Sequence, residues 1–590
     1  MKKYLLLLTF LLSIDFSESQ TTAFDWVKQI SGSNNEYAYD LDSDSDGNIY
    51  ISGVFGYTDG GDGTFGDTTL STHGNGDAFV CKLDPNGNVI WVRSMGGTEQ
   101  DRCWGVAVDG AGNVNITGRF YNTALVEDTS ITSAGGEDIF IIQYDSSGNL
   151  NWLKRIGDVY SDEGQSIAVD TIGNVYVKGK FSGTVIIDDE TLYDNGNGDV
   201  LFAKFDINGN LQWVKQIGGS ESDGGWKENN VVVNSVGEII IGTSFQGSMD
   251  YEGNSLVSNG EDDILLAKYD SDGNLLWYDQ IGGPDIERPR YLEVDNNDNV
   301  IAICLMEGDI IEPFSMPLLF SPKEKFVVKY DNTGNLLWAN HIGGKSGTFS
   351  SGLAIDNQNQ ILISGLRSGG IPLIINESLL PVSDDDQATY IALLNEDGLL
   401  IGYEHALSTF ENWAMAAEYS SLNRMYITGG LKETNTFGDT TLFSTGERDV
   451  YYGEINVANL TDVPPPFTIS SVADVPDDQG SRVFVSWESC PLDTFDLITQ
   501  YGVWSLDNDG NWFSLGNVPS IHTDETYTFL AQTLGDSTQT DGIHWSIFRI
   551  TAHTTWNHFY ESPIDSGYSL DNIAPSVPTG FMIAMGDNGL

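Results

Sequence analysis

Apolar and polar positions alternate with a period of two in short runs along most of the chain, the pattern of half-buried β-strands. One set of runs occupies residues 105–109, 113–118, 138–145 and 149–156, which predicts four strands, A to D in chain order. Gly110, Ala111 and Gly112 stand between A and B, and Ser146, Ser147 and Gly148 between C and D. These are the small residues that tight hairpins need. The pattern predicts an all-β chain with no helix of note.

The set repeats. Trp26, Trp91, Trp152, Trp213, Trp277 and Trp338 recur every 61 to 65 residues, most of them inside Asp-x-x-Gly-Asn-x-x-Trp and followed by Ile-Gly-Gly or a close variant of it. A period of this length with strand content points to a propeller or solenoid. Strand B recurs at Ile49, Val114, Val175, Ile239, Val300, Ile361 and Met425, and strand C begins near Asp77, Asp138, Asp199, Asp263, Glu324, Ala388 and Asp449. Both counts are seven. Strand D follows its own strand C only six times, and the missing copy stands at the other end, in residues 22–30 around Trp26. Pairing this orphan strand with the last blade would close the ring and remove two free sheet edges. The expected fold is therefore a seven-bladed β-propeller of four-stranded blades, its N-terminal strand completing the last blade.

The units read Gly-Asn-x-Tyr-x-x-Gly, then Gly-x-x-Asp-x-Phe-x-x-Lys-Tyr-Asp-x-x-Gly-Asn-x-x-Trp, as at residues 47–53 with 74–91, 263–277 and 325–338. In this the chain resembles the seven-bladed propeller repeat proteins that bacteria export, over roughly residues 22–457. The sixth and seventh units depart most, with Leu393 and Glu454 where most units carry Lys. The resemblance implies the fold and little about activity.

Beyond Pro464, Pro465 and Pro466 the tryptophan period stops. Residues 483–487, 501–504 and 543–550 alternate like strands of a sandwich, and the stretch resembles a fibronectin type III-like module. The expected organisation is a signal peptide at 1–19, the propeller at 20–459, a proline-rich linker at 460–467, a β-sandwich at 468–573, and the start of a truncated further module or a tail at 574–590. Similar exported proteins of the Bacteroidota type often carry a C-terminal sorting module, and none is recognisable in this text.

Lys2 and Lys3, the apolar run at 4–12 and the small polar stretch at 17–20 form a secretory signal. Secretion or the cell surface is the expected location. No stretch approaches the ~18 apolar residues of a membrane span. Asp and Glu number 85 against 27 Lys and Arg, a formal charge of −58, which repels phosphate backbones and argues against nucleic acid. Cys81, Cys103, Cys304 and Cys490 make no disulfide scaffold.

Candidate residues are weighed against the repeat. The six tryptophans are expected to fill the wedge between blades. Asp44, Asp109, Asp170, Asp295 and Asp356, with Asn234, precede each A–B turn and are expected to cap it. Acidic residues opening strand C recur in six of seven units, which again reads as a repeated packing solution. Asp42, Asp44 and Asp46 match the first half of a calcium loop, but Gly53 stands where the bidentate carboxylate belongs. Ca²⁺ is the one cofactor this pattern admits, and no catalytic residue is assigned. The seven histidines form no zinc-binding pair motif.

The expected function is a secreted or surface, non-catalytic binding or adhesion protein. Its partner is an extracellular glycan or protein, met by the B–C segments at 54–76, 119–137, 180–198, 305–323 and 366–387, which read as variable loops. The competing reading is an extracellular polysaccharide hydrolase or lyase with carboxylates at the channel mouth. Oligomeric state is not legible.

Overall fold

The computed structural model describes residues 23–225, 230–307, 323–343, 349–368, 373–375, 378–380, 387–408, 413–463, 465–476, 481–522, 525–537, 543–555 and 559–570. The expected signal peptide and the tail at 574–590 lie outside the described residues. The chain divides into two compact units. The first comprises Met1–Ile371 with Ser383–Asp462, and the second Pro372–Val382 with Val463–Leu590. The structure is almost entirely β, and no helix among the described residues is long and apolar enough to cross a membrane.

In the first unit, four-stranded antiparallel sheets follow one another along the chain. The first consists of Asn35–Ser43 (A), Ile49–Tyr57 (B), Asp77–Leu83 (C) and Val89–Gly96 (D), paired in that order. The pattern recurs in six further repeats. Their A strands are Arg102–Val108, Glu163–Val169, Val231–Val233, Glu287–Val294, Phe349–Ile355 and Trp413–Tyr419. Each A strand packs beside the next one, and that of the seventh repeat packs beside Asn35–Ser43.

The seventh repeat supplies only A, B (Met425–Leu431) and C (Asp449–Ile455). Its D strand is Phe24–Gly32, the N-terminal segment, with Trp26 opposite Glu454 and Ile30 opposite Val450. Phe24, Val27 and Ile30 are buried there.

Cores lie between adjacent sheets. Ile139, Ile141 and Ile156 of the second repeat meet Ile167, Val175 and Val177 of the third, and Leu362, Ile391 and Leu393 of the sixth meet Ile427 and Tyr451 of the seventh. A sheet covered on both faces needs apolar residues on both, so Asp77–Leu83 is buried along its whole length. Most A strands carry one extra residue at a matching place, a β-bulge that re-aims a side chain. It is Tyr39, Trp104, Gln165, Arg290, Ser351 and Met415 in turn.

The B–C segments correct the sequence reading. Residues 54–76, 119–137 and 180–198 are not variable loops but carry a repeated hairpin. It is formed by Asp62–Phe65 with Thr68–Ser71, by the ends of Val114–Val126 and Thr129–Tyr144, and by Thr184–Ile187 with Glu190–Tyr193. It recurs in the fourth and seventh repeats. Each buries one apolar residue at the same position: Phe65, Val126, Ile187, Tyr251 and Phe437. The next residue in each takes a left-handed φ between 50° and 57°. Three of these hairpins also pair with the D strand of the preceding sheet, as in Gly63 with Gly32, Leu125 with Gly96 and Thr436 with Leu407. The repeat went unseen because only a turn and one apolar position recur in it. Residues 305–323 and 366–387 fall partly outside the described residues.

The second unit holds a three-stranded antiparallel sheet (Ile469–Asp474, Arg482–Trp487, Tyr527–Gln532) and a second antiparallel sheet built on Ile498–Leu506, Trp512–Pro519 and Ser546–Thr554. Trp487 of one lies 5.7 Å from Tyr501 of the other, ring centre to ring centre. Beneath them the buried Asp493 accepts hydrogen bonds from the Tyr501 and Tyr527 hydroxyls, 2.9 and 2.5 Å.

A chain starting at Asn35 tests the pairing of the two chain ends. It loses the burial of Phe24, Val27 and Ile30, worth about 1.5–3 kcal/mol each. We expect a lower thermal midpoint and soluble aggregates in light scattering, both reversed by a peptide of residues 23–34. An unchanged midpoint would refute the pairing.

Candidate functional site

Most polar side chains that recur from repeat to repeat are engaged in holding the repeat. At the A–B turns, Asp109 Oδ1 accepts the N–H groups of Ala111 and Asn113 (2.9 and 2.8 Å) and Oδ2 the Asn113 amide (2.7 Å). Asp170 and Asp295 make the same three bonds. Asp356 makes the two backbone ones. The C–D turns use the same device, with Asp145 in the second repeat.

The tryptophans join neighbours. Nε1 of Trp91, Trp152, Trp213, Trp277 and Trp338 donates to a carbonyl of the next repeat's C–D turn: Ser146, Ile207, Ser271, Asn332 and Glu396, at 3.1–3.3 Å. The glycine of that turn is required twice over. Gly209 has φ +78°, and a Cβ there would stand 2.9 Å from the Trp152 ring. Lys204 reaches the same turn as Trp213, 2.7 Å from the Ser271 carbonyl. At the chain closure Trp26 donates to Glu454 (2.7 Å), and Arg424 contacts Glu454 (3.1 Å) and the Pro85 carbonyl (2.8 Å). Arg424 thus does the work of the lysine that Glu454 replaces.

A second acidic position escaped sequence reading. Four residues after the second position of the Gly-Gly stands Asp101, Asp162, Asp223 or Glu287. Asp101 accepts Gly97 N–H (2.7 Å) and Tyr121 N–H (2.9 Å), and Asp223 accepts Gly219 and Gln246 in the same way. Each lies near the strand C acid of the preceding repeat. A Cβ on Gly218 would sit 2.6 Å from Asp199 Oδ1 and 2.8 Å from Asp223 Oδ2. That crowding explains the glycine after the repeated isoleucine. Burial raises Asp101 and Asp162 to about 7, Asp223 to about 6 and Glu287 to about 8, and repulsion from Asp77, Asp138, Asp199 and Asp263 adds to it. The spacing was there to be found, but the residue alternates between Asp and Glu.

The calcium-loop aspartates serve separate partners. Asp44 caps its turn and accepts the Tyr50 hydroxyl (2.8 Å), with Lys82 at 3.3 Å. Asp42 accepts Val108 N–H (2.7 Å) from the next A strand, and Asp46 is exposed on the turn. Among the described residues no three acidic, His or Cys side chains are grouped to hold a metal ion. The four cysteines are free thiols, all buried.

The repeats disagree along their A strands. A cavity of about 260 Å³ is lined on one side by Asp42, Glu293 and Glu418, from the first, fifth and seventh repeats. Ala107, Ala168 and Val232, at the same repeat position in the second to fourth repeats, line the other. Ser43 Oγ donates to Glu418 (3.0 Å). Behind Asp42, the buried Asp40 accepts Val106 N–H (3.0 Å). Burial first, then mutual repulsion, raises Asp42 to about 6, Asp40 and Glu293 to about 8, and Glu418 well above the usual range. Sequence reading missed this set because its shared position, two residues before each A–B turn cap, is acidic only in the first, fifth and seventh repeats and holds Ala107, Ala168, Val232 and Ala354 in the others.

The chain is an almost entirely β-stranded, repeat-built protein loosely similar to a WD repeat-containing protein. No family profile matches it. It is 22% identical over 443 residues to an uncharacterized WD repeat-containing protein, L264, of Acanthamoeba polyphaga mimivirus, covering 60% of this chain and 32% of that protein. It is 26% identical over 186 residues to the regulatory protein FlaEY of Caulobacter vibrioides, covering 30% and 19%. The chain thus spans a third or less of these relatives. Among solved structures, a glucose dehydrogenase (9% identity, TM-score 0.31, 73% of this chain and 99% of that one) and a puromycin hydrolase (11%, 0.36, 79% and 60%) are similar too distantly to bear on activity.

The two kinds of carboxylate set opposite pH dependences. The paired and cavity acids have raised pKa values, so their stabilising effect is full below the unfolded value near 4 and is lost as pH rises through about 6 to 8. Turn aspartates such as Asp270 and Asp331, the latter at about 2, are lowered chiefly by their hydrogen bonds. Their contribution is lost as pH falls from about 4 toward 2. Thermal midpoints measured from pH 3 to 9 should therefore peak near pH 4. A midpoint rising steadily to pH 8 would contradict the assignment.

Proposed function

We propose that the protein is a non-catalytic, extracellular binding protein whose first unit is a closed seven-bladed β-propeller and whose second is a fibronectin type III-like sandwich. The circuit of A-strand contacts and the pairing of the two ends of the first unit support the propeller. The facing sheets around Trp487 and Tyr501 support the sandwich.

The observation that carries the function is the two-sided central cavity. Turn aspartates, tryptophans and hairpins recur because each interface between blades needs them, so they carry no ligand specificity. The cavity instead sets three carboxyls against the small apolar residues that hold the same position in the second to fourth repeats. That chemistry suits a small organic cation, its ammonium toward Asp42, Glu293 and Glu418 and its carbon skeleton toward Ala107, Ala168 and Val232. Binding would ionise carboxyls that are otherwise held protonated, so protons are released and affinity rises with pH.

A second reading, a polysaccharide hydrolase or lyase, draws on Asp42 and Glu293 at about 6 and 8 in one cavity, values suited to a base and an acid. Size weighs against it. At about 260 Å³ the cavity falls below the ~300–1,000 Å³ usual for ligand sites and has no room for a polymer in mid-chain.

Calorimetric titration with choline, ethanolamine and spermidine at pH 6 and 8 separates the readings. We expect saturable binding of at least one amine, tighter at pH 8 and weakened tenfold or more in Glu418→Gln. No amine binding, with polysaccharide turnover abolished by Asp42→Asn or Glu293→Gln, would replace the binding reading by the enzyme.

A further inference from the structure

The joint between the sixth and seventh repeats differs from the rest. In the first five repeats the D-strand tryptophan donates to the C–D turn of the following repeat. That turn also lies against its own A–B turn and near the capping aspartate of the preceding repeat. A Cβ on Gly173 would come 3.1 Å from Ile207 of the C–D turn and 3.3 Å from Asp109 Oδ2 of the preceding repeat. The seventh repeat has no C–D turn, because its D strand comes from the N-terminus.

The sixth repeat lacks the matching donors. Gly402 stands at the tryptophan position and Leu393 at the lysine position. The chain leaving the last C strand covers part of the gap. Tyr403 and Thr461 exchange backbone hydrogen bonds of 3.1 and 2.9 Å, and a Cβ on Gly402 would meet Leu460 at 3.1 Å. Where the turn itself would sit there is a cavity of about 320 Å³. Its lining includes Asp356 and Asn357 of the sixth repeat, Tyr419 and Asn423 of the seventh A–B turn, and Glu454 and Asn456 at the end of strand C. Asn423 and Asp356 occupy the places of Gly173 and Asp109 in the filled joint.

The charge of this cavity is also defined. Asp295 in the fifth repeat pairs with Lys329 at 2.8 Å, whereas Asp356 has Leu393 in that place. Asp25 and Glu454 also line the cavity, and Arg424, its one basic residue, is held by Glu454 and the Pro85 carbonyl. We propose that this cavity is a docking site for a reverse turn of another polypeptide, one that brings a lysine or arginine to Asp356. The equivalent space in the second to sixth repeats is filled by a main-chain turn of one hydrogen-bonding type, so the cavity has the shape of a turn. Its missing partner is the cation. This site is separate from the central cavity and does not depend on what binds there.

The test titrates the full chain with a head-to-tail cyclised octapeptide containing Asp-Pro-Asn-Gly-Asn, the turn sequence at residues 84–88, and one lysine. A second peptide carries glutamate in place of the lysine. Saturable one-to-one binding of the lysine peptide is expected, at least tenfold tighter than the glutamate peptide. Asp356→Asn should erase that difference without disturbing the fold, since Asn234 and Asn395 cap equivalent turns as asparagine. Asn357→Trp should fill the cavity and abolish binding, while Ala111→Trp, at a joint already filled, should leave it unchanged. No binding at millimolar peptide would overturn the proposal, as would binding indifferent to Asn357→Trp, or binding only of neutral oligosaccharides.

Discussion

A sheet whose last strand is unpaired presents a row of bare N–H and C=O groups, and this fold is organised around covering such edges. Each D strand is an edge. In three described joints the hairpin of the following repeat pairs with its end, and in five its tryptophan and the next C–D turn lock the two repeats together. The N-terminal strand extends the same solution to the chain ends. The tryptophan is suited to this because its ring covers a glycine turn while its single donor reaches a carbonyl that would otherwise face the joint.

This constraint explains where an acidic protein places its acids. Carboxylates on turns accept several N–H groups and stay ionised at little cost. Those between sheets, such as Asp101 and Asp223, tie a glycine corner to the neighbouring strand and are buried beside a second acid. Burial without a cation favours the proton-bearing form. The protein therefore holds part of its formal charge of −58 as neutral carboxyls near pH 6.

The tryptophan period and the orphan strand were legible because they repeat and because a missing copy is as visible as a present one. The hairpins were not, since one buried residue and one left-handed turn position survive in each, and residues as different as Phe65, Val126 and Tyr251 fill the same place. The second acid was within reach as a four-residue spacing but alternates between two residue types. The central cavity was harder to read. Asp42, Glu293 and Glu418 share one repeat position, two before the turn cap, but four of the seven repeats fill it with Ala or Val, and the acids meet only because successive A strands pack side by side.

Closing the chain ends in one sheet has a local consequence. A repeat whose D strand arrives from elsewhere cannot have a C–D turn, so the joint before it loses the partner of its tryptophan and lysine. An indole and an ammonium left there would have no carbonyl to donate to, and a buried donor without a partner costs about 1–3 kcal/mol. Gly402 and Leu393 avoid that cost, and Leu460 packs where the indole would lie. Glu454 and Arg424 make the matching adjustment on the other side, exchanging the positions of acid and base so that Trp26 and the Pro85 carbonyl are both satisfied. The departures of the sixth and seventh repeats from the common text are thus what pairing Phe24–Gly32 with the last C strand requires at that joint.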